Sequence, residues 1–337
     1  MSGISLDEAA PELNRLLHRD GSHIAQDWLN RRDNMVQSLL NHNSFYRARV
    51  GNFSGGWSQL PIMQKSDYQG DLKTLISSQY RSEDLYISST SGSSGHPFHF
   101  AKTKRSHALT WAITRYLYAQ HGVEPEDMQA RFYGIPKEPL DYYKEKLKDF
   151  FLNRRRFPVF DLSDEALAKF VQRFEAKAFH YLYGYANSLL LFAEYLERNK
   201  IVLKTCCPAL KCCITTSEMC SPEDRALMSR AFGVKVINEF GSSETGIMAF
   251  ENPEGEWVLN TLNQYFEVVD DKGTILPEGE EGNLLVTDLY NDAFPFVRYA
   301  IGDRASIRSE ITDGRRKYIL NSLSGRINDT ILLPSGK

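Results

Sequence analysis

The sequence holds no apolar run approaching the ~18 residues that span a bilayer, and Met1 to Asp20 lacks a basic segment followed by an apolar stretch. Neither a membrane span nor a signal peptide is expected, and a cytoplasmic protein is the simplest reading. Positive charge is not in excess. Lys and Arg number 40 against 43 Asp and Glu, a formal charge of −3, which removes a basic nucleic-acid footprint over the whole chain. Cysteine is sparse, with 5 residues, of which Cys206-Cys207 and Cys212-Cys213 are adjacent pairs and Cys220 stands alone. Adjacent cysteines on an extended segment point to opposite faces, and no CxxC spacing occurs, so free or structural thiols are expected rather than a chelate. The odd count fits a reducing compartment. Internal repeats and low-complexity tracts are also missing. What remains is ordinary globular composition, 42% hydrophobic and 25% charged over 337 residues, enough for about two domains of roughly 150 residues.

The first two-thirds of the chain alternates helical patterns with short apolar runs. Leu109 to His121 has helical spacing and ends at Gly122; Asp164 to Ala178 and Ser188 to Asn199 read the same way. Tyr181 to Tyr185 and Leu210 to Thr215 predict strands. Ser221-Pro222-Glu223-Asp224 predicts a capped helix start with Pro in the first turn, the helix running to Phe232 and stopping at Gly233 before a strand at Val234 to Ile237. Strand, helix and strand with short connections predict a parallel βαβ unit. From Trp257 onward helical periodicity disappears, and Phe266–Val269, Asn283–Asp288 and Arg304–Ile311 read as strands separated by Gly/Asp turns such as Asp270 to Gly273.

Four segments carry candidate chemistry. Ser88 to Pro97, containing Thr90, Ser91, Gly92, Ser93, Ser94 and Gly95, follows the strand-like Leu85-Tyr86-Ile87. Such a loop can aim N–H groups and hydroxyls at phosphates, yet no Gly-Lys-Ser/Thr follows, so it is not a Walker A loop, and by composition it equals a flexible linker. Asn238 to Gly246 follows the strand ending at Ile237, where nucleotide sites of parallel sheets lie. There Ser243 can bond a phosphate and Glu244 a hard cation, although a polar turn needs no ligand. Gly302-Asp303 offers a carboxylate for two ribose hydroxyls, or is simply a turn dipeptide. In Ser324 to Asp329, Arg326 can pair with phosphate. The run Arg154-Arg155-Arg156 reads as a solvated face rather than a coenzyme A phosphate site.

In this order the four segments resemble the core motifs of the adenylate-forming superfamily of acyl- and aryl-CoA ligases, adenylation domains and luciferases. EFGSSE is similar to its Tyr-Gly-x-Thr-Glu, AIGD to its Thr-Gly-Asp and GRIND to its hinge Gly-Arg-x-Asp-Asp. Leu60 to Lys65, Leu182 to Tyr185 and Pro295 to Tyr299 resemble signatures of the phenylacetate-CoA ligase branch and its capsule-biosynthesis relatives. The resemblance covers roughly residues 55 to 337.

The resemblance implies an α/β fold: a large N-terminal adenylation domain of layered, mostly parallel sheets with helices, plus a small antiparallel β-barrel-like subdomain. The expected division is 1–256 for the body, 257–322 for the β subdomain and 323–337 for the start of a hinge. The mobile C-terminal domain of the family, with its Lys, is expected to be missing, since Lys337 lies too close to the hinge motif. The implied reaction is ATP-dependent activation of a carboxylic acid, here an aromatic acid, as an acyl-adenylate with Mg2+, then transfer to coenzyme A. Carried over by motif, Thr90 to Gly95 would cradle phosphates, Ser243 the α-phosphate, Glu244 the Mg2+, Asp303 the ribose, with Arg326 near ribose or phosphate. Ser217 and Glu218 match the segment lining the adenine, beside Phe240 and Gly241. Tyr133, Tyr183, Tyr185 and Met248 lie in segments expected near the acyl pocket, although aromatics are also ordinary core.

Departures are Phe98 for the basic residue closing the first loop, Phe240 for Tyr, Ser243 for Thr and Asn328 for the hinge Asp. Phe250 to Asn260 holds neither Cys nor His, so the structural zinc of some branch members is not expected. The alternative reading is an adenylation-like protein that binds nucleotide or an aromatic acid for a partner in secondary-metabolite (antibiotic) biosynthesis. A downstream reductase or transferase is the partner such a role would serve, a homodimer is compatible, and nucleic acid and membrane are not expected.

Overall fold

The structure is a computed structural model and describes residues 8–18, 24–52, 55–90, 98–134, 139–312 and 315–325. The chain divides into two compact units: unit 1 is Met1–Thr114, Ser242–Ala249 and Trp257–Lys337, and unit 2 is Arg115–Gly241 and Phe250–Glu256. In chain order the first elements are α1 (Ala10–Leu17), α2 (Ile24–His42), α3 (Ser44–Val50), α4 (Leu72–Leu75), β1 (Leu85–Ser89), β2 (His99–Thr103) and α5 (Lys104–Ala119). There follow β3 (Gln129–Phe132), α6 (Pro139–Phe151), β4 (Arg154–Phe157), α7 (Asp164–Ala176), β5 (Tyr181–Tyr185), α8 (Ala186–Arg198), α9 (Leu203–Cys206), β6 (Cys212–Thr216), α10 (Pro222–Phe232) and β7 (Lys235–Ser242). The last are β8 (Gly246–Glu251), β9 (Trp257–Leu259), β10 (Gln264–Val269), β11 (Glu281–Asp288), β12 (Tyr299–Thr312) and β13 (Arg315–Ser324). No helix among the described residues is long and apolar enough to cross a membrane.

Within unit 2 the strands lie in the order β4-β3-β5-β6-β7, all parallel, as the strand–helix–strand pattern predicts. Alternation sends Ala130, Phe132, Phe157, Leu182, Cys213 and Val236 to one face, where they pack with Phe170, Phe174, Leu189, Phe192, Met228 and Phe232 from α7, α8 and α10. Each such buried large side chain contributes about 1.5–3 kcal/mol. The helix ends follow local chemistry. Ser221 Oγ accepts from the Asp224 amide at 3.1 Å, Pro222 occupies the first turn, and Gly233 ends α10 at φ 70°.

The strand expected to end at Ile237 instead runs on through Asn238 to Ser242, so the EFGS portion of the second motif is strand and only Ser243 to Thr245 turns. The Arg154–Arg156 run is not a solvated face. Arg154 and Arg156 are buried side chains paired with Glu145 and Asp149 of α6. A basic tripeptide looks solvent-bound when read locally; here two acids one helical turn apart reach it from the preceding helix.

In unit 1, β1 and β2 form an antiparallel pair, and β10-β11-β12-β13-β9 form an antiparallel array, the β region anticipated after Trp257. Gly302-Asp303 is not a turn between strands. Asn283 faces Arg304 while Leu285 faces Ala300, so the dipeptide lies in an irregularity within β12, with Gly302 at φ 96°; such an insertion bends the strand and re-aims its side chains. Arg298, 1% exposed, donates to the carbonyls of Ser58 at 2.8 Å and Leu60 at 2.7 Å and pairs with Glu267 at 3.2 Å. Main-chain bonds Met63 N to Arg298 O and Ala300 N to Met63 O complete the junction. It joins the Leu60–Lys65 and Pro295–Tyr299 signatures.

Candidate functional site

The unit 2 sheet contains a reversal of strand order. From β3 the chain passes through α6 to β4 at the edge, whereas from β5 it passes through α8 to β6 on the other side. The carboxyl ends of β3 and β5 are therefore a topological switch point, where open α/β sheets place their ligands. Tyr133 and Tyr185 stand at those two ends with ring centroids 4.2 Å apart, and Tyr133 stacks on Tyr183 at 5.7 Å and 6°. All three are half-buried. The close approach of the strands depends on Gly184, whose register partner is Phe132: a Cβ there would lie 2.5 Å from Phe132 Cβ and 2.6 Å from its carbonyl oxygen.

Two charged groups border this cluster. Arg131, on the face opposite the apolar core, places its guanidinium carbon 4.1 Å from the Tyr133 ring centroid and 5.0 Å from that of Tyr183. Glu239 on β7 is buried; its Oε2 accepts from Tyr118 Oη at 2.6 Å and its Oε1 from Tyr183 Oη at 2.9 Å. Burial pushes the Glu239 carboxyl above the ordinary glutamate range, while the hydrogen bonds from Tyr118, Tyr183 and Thr216 and the charge of Arg131 oppose that. Burial likewise pushes the Tyr118 and Tyr183 phenols up, with Glu239 adding to it. Sequence reading did not single out Arg131 and Glu239. The signal for Arg131 is its two-residue spacing from Tyr133, which puts both on one face once the strand is assigned.

Ser217 and Glu218 follow β6 and are exposed, Ser217 at φ 69°. Glu218 accepts from the Asn187 amide at 2.8 Å and so caps the start of α8. Phe240 and Gly241 are half-buried residues of β7. A separate concavity of about 340 Å³ in unit 2 is lined by Cys220, Pro222, Arg225, Lys235 and Asn238 among others, and by none of the residues that the resemblance assigns to the site.

Unit 1 holds the remaining described candidates. Thr90 closes the neck of the Ser/Thr/Gly loop: its N–H donates to Phe98 O at 3.1 Å and its Oγ1 accepts from Phe98 N at 3.2 Å. Ser91, Gly92, Ser93, Ser94, Gly95 and Arg326 lie outside the described residues. Ser243 is exposed; Glu244 is half-buried and its Oε1 accepts from Tyr299 Oη at 3.0 Å. Asp303 is half-buried in β12, and Met248 is buried in β8. A third charged residue missed by sequence reading, Lys102 on β2, is 2% exposed. Burial pulls its ammonium pKa down, and Asp288 and then Glu244 pull it back up. Asn291 fixes this neighbourhood, donating to Ala101 O at 2.9 Å and accepting from Thr103 N at 3.1 Å. Among the described residues no group of three His, Cys, Asp or Glu is assembled for a metal ion. A single carboxylate such as Glu244, whose Oε2 accepts no hydrogen bond from the described residues, still fits Mg2+, which is commonly held by one or two carboxylates together with substrate phosphates.

No protein-family model matches the chain. It is 26% identical over 279 residues to protein CapK of Staphylococcus aureus, covering 81% of this chain and 59% of that protein. It is 25% identical over 286 residues to a phenylacetate-coenzyme A ligase of Thermus thermophilus, covering 82% of this chain and 62% of the relative. The chain thus spans about three-fifths of the length of these relatives. Among solved structures, a 2-hydroxyisobutyryl-CoA ligase holding its acyl-adenylate and CoA superposes with a TM-score of 0.71 at 19% identity, over 96% of this chain and 73% of that one. That likeness is one of fold.

Proposed function

We propose that this chain, a relative of the phenylacetate-CoA ligase branch with the fold of the adenylate-forming superfamily, activates an aromatic carboxylic acid with ATP and passes the acyl group to coenzyme A. In the first step a carboxylate oxygen attacks the α-phosphorus of ATP and the bond to pyrophosphate breaks. In the second, a thiol sulfur attacks the acyl carbon, AMP leaves with the electron pair, and the thiol proton passes to solvent. Neither step needs covalent catalysis, so the protein's part is positioning and charge neutralisation. When bound, Mg2+ would offset phosphate charge. Glu244 would hold it, Thr90 and the loop to Gly95 would face the β- and γ-phosphates, and Ser243 the α-phosphate. Asp303 would accept the ribose hydroxyls and Arg326 lie near ribose or phosphate. Ser217 and Glu218 would border the adenine, with Phe240 and Gly241. Tyr133, Tyr183 and Tyr185 would receive the acid's ring; Met248 is the remaining residue that the resemblance assigns to the acyl pocket.

The observation that carries this reading is the convergence of Tyr133, Tyr183 and Tyr185 at the switch point of a parallel sheet, in a chain with ordered nucleotide-type motifs. The test is carboxylate-dependent exchange of labelled pyrophosphate into ATP over a panel of aryl acids. Glu244→Ala and Asp303→Ala are expected to lower exchange about a hundredfold or more with the fold intact. Exchange equal to that of the unaltered chain in both variants would sink the assignment of these residues, and absence of exchange with every acid would sink the ligase reading.

A further inference from the structure

A helix on a sheet normally turns its apolar stripe inward, as α7 does with Leu167, Phe170, Val171 and Phe174. α6 does the reverse. Its acids face the sheet: Asp149 is buried, and together with Glu145 it takes the guanidinium groups of Arg154 and Arg156 on β4. Its apolar residues face solvent. Tyr143, Leu147, Phe150 and Phe151 follow the i, i+4, i+7, i+8 spacing of one stripe and are 54–71% exposed, and Leu152, just after the helix, is exposed as well. Of the thirteen large apolar side chains exposed among the described residues, these five fall within ten consecutive positions. That is a patch rather than the scattered single side chains every surface carries.

The charges beside the stripe have one sign. At about 3.6 residues per turn, Lys146 lies on one flank and Lys144 and Lys148 on the other, all three exposed. Lys148 pairs with Glu145 at 2.6 Å, but that carboxylate is shared with both arginines. Residues 139–156 hold six Lys and Arg against three Asp and Glu, in a chain whose total is −3. Turning the acids inward leaves the outer side of α6 apolar along its middle and cationic at its edges.

We propose that α6 is a docking helix for an anionic lipid surface, lying in the plane of the headgroups with its Tyr/Leu/Phe stripe against the acyl boundary. No transmembrane span is needed for this. Lysine stems that flank an apolar stripe lie along it while their ammonium groups reach lipid phosphates, and aromatic rings favour the depth of the headgroups. A second copy of the chain fits the face less well. Two-fold pairing through the stripe would set lysine flank against lysine flank, and the described acids of the helix are already spent on β4. The docking is independent of the ligase reading and shares no residue with the tyrosine cluster.

The experiment is co-sedimentation of the full chain with vesicles of phosphatidylcholine alone and of equal parts phosphatidylcholine and phosphatidylglycerol, at about 0.1 M salt. The anionic vesicles are expected to bind about tenfold more tightly or better, and the difference to shrink as salt rises to about 1 M. Leu147→Ser combined with Phe150→Ser alters exposed positions only and is expected to weaken binding about tenfold or more. Lys144→Gln, Lys146→Gln and Lys148→Gln together are expected to remove the preference for the anionic vesicles. Absence of binding to anionic vesicles, which would leave the face to a protein partner, overturns the proposal, as does equal binding of both vesicles or unchanged binding in the Leu147/Phe150 variant. Self-association of the unaltered chain in analytical ultracentrifugation that the same variant abolishes would assign the stripe to a second copy and overturn it too.

Discussion

Glu239 is a carboxylate removed from water and held by two phenols, and its protonation is linked to folding. Because burial raises its pKa above the ordinary value, the native state binds this proton more tightly than the unfolded chain does. Its contribution to stability is full below the ordinary glutamate pKa and is lost as pH rises through the higher folded value. The difference in Tm between the unaltered chain and Glu239→Gln should therefore fall as pH is raised from about 4 to about 8; a flat or rising difference would show that the carboxyl is not shifted upward. Tyr118→Phe removes the 2.6 Å bond to the same carboxylate and is expected to cost about 1.5–3 kcal/mol in urea unfolding. The tyrosines of this cluster were picked out by the resemblance, as residues of segments expected near an acyl pocket, and not by a local pattern; that Tyr183 and Tyr185 share a face follows from the strand. Glu239 was not picked out, since a single acid before Phe240 has no local pattern and its meaning comes from Tyr118, which lies 121 residues away.

At the level of elements, legibility tracked how local the cause is. The start and stop of α10 could be read directly because Ser221, Pro222 and Gly233 act within one turn of the helix. Ser221→Ala should cost about 1 kcal/mol, measured by denaturant midpoint, since it orphans the Asp224 amide. The extension of β7 past Ile237 and the irregularity in β12 were not readable, because strand length and bulges are set by pairing with neighbours remote in sequence. The ion-paired arginines of β4 were misread for a different reason: Glu145 and Asp149 are near in sequence, but they meet Arg154 and Arg156 only once α6 folds back beside β4. Gly184→Ala tests the packing of one strand on the next. The added methyl would meet Phe132 main-chain atoms that cannot swing aside, so a loss of about 1–3 kcal/mol is expected. The stacking of Tyr133 on Tyr185 should loosen with it, read as weaker binding of aromatic acids.

Over the molecule, unit 1 is stitched from three stretches of chain, and Arg298 is its most connected buried charge. Removing one partner of a buried pair leaves the other uncompensated, so Arg298→Met is expected to cost about 3–5 kcal/mol, and the double variant with Glu267→Gln less than the sum of the singles. Strict additivity in that cycle would mean that the two groups do not interact. The same junction sets an order of assembly during synthesis. Ser58 waits for a partner 240 residues downstream, roughly ten to fifty seconds at ~5–20 residues per second of translation. The parallel strands of unit 2 are all made within that interval. The nascent chain thus has time to build its aromatic sheet while the segment around Ser58 is still unmatched, which leaves that early segment, rather than the tyrosine cluster, open to chaperones and proteases on the ribosome.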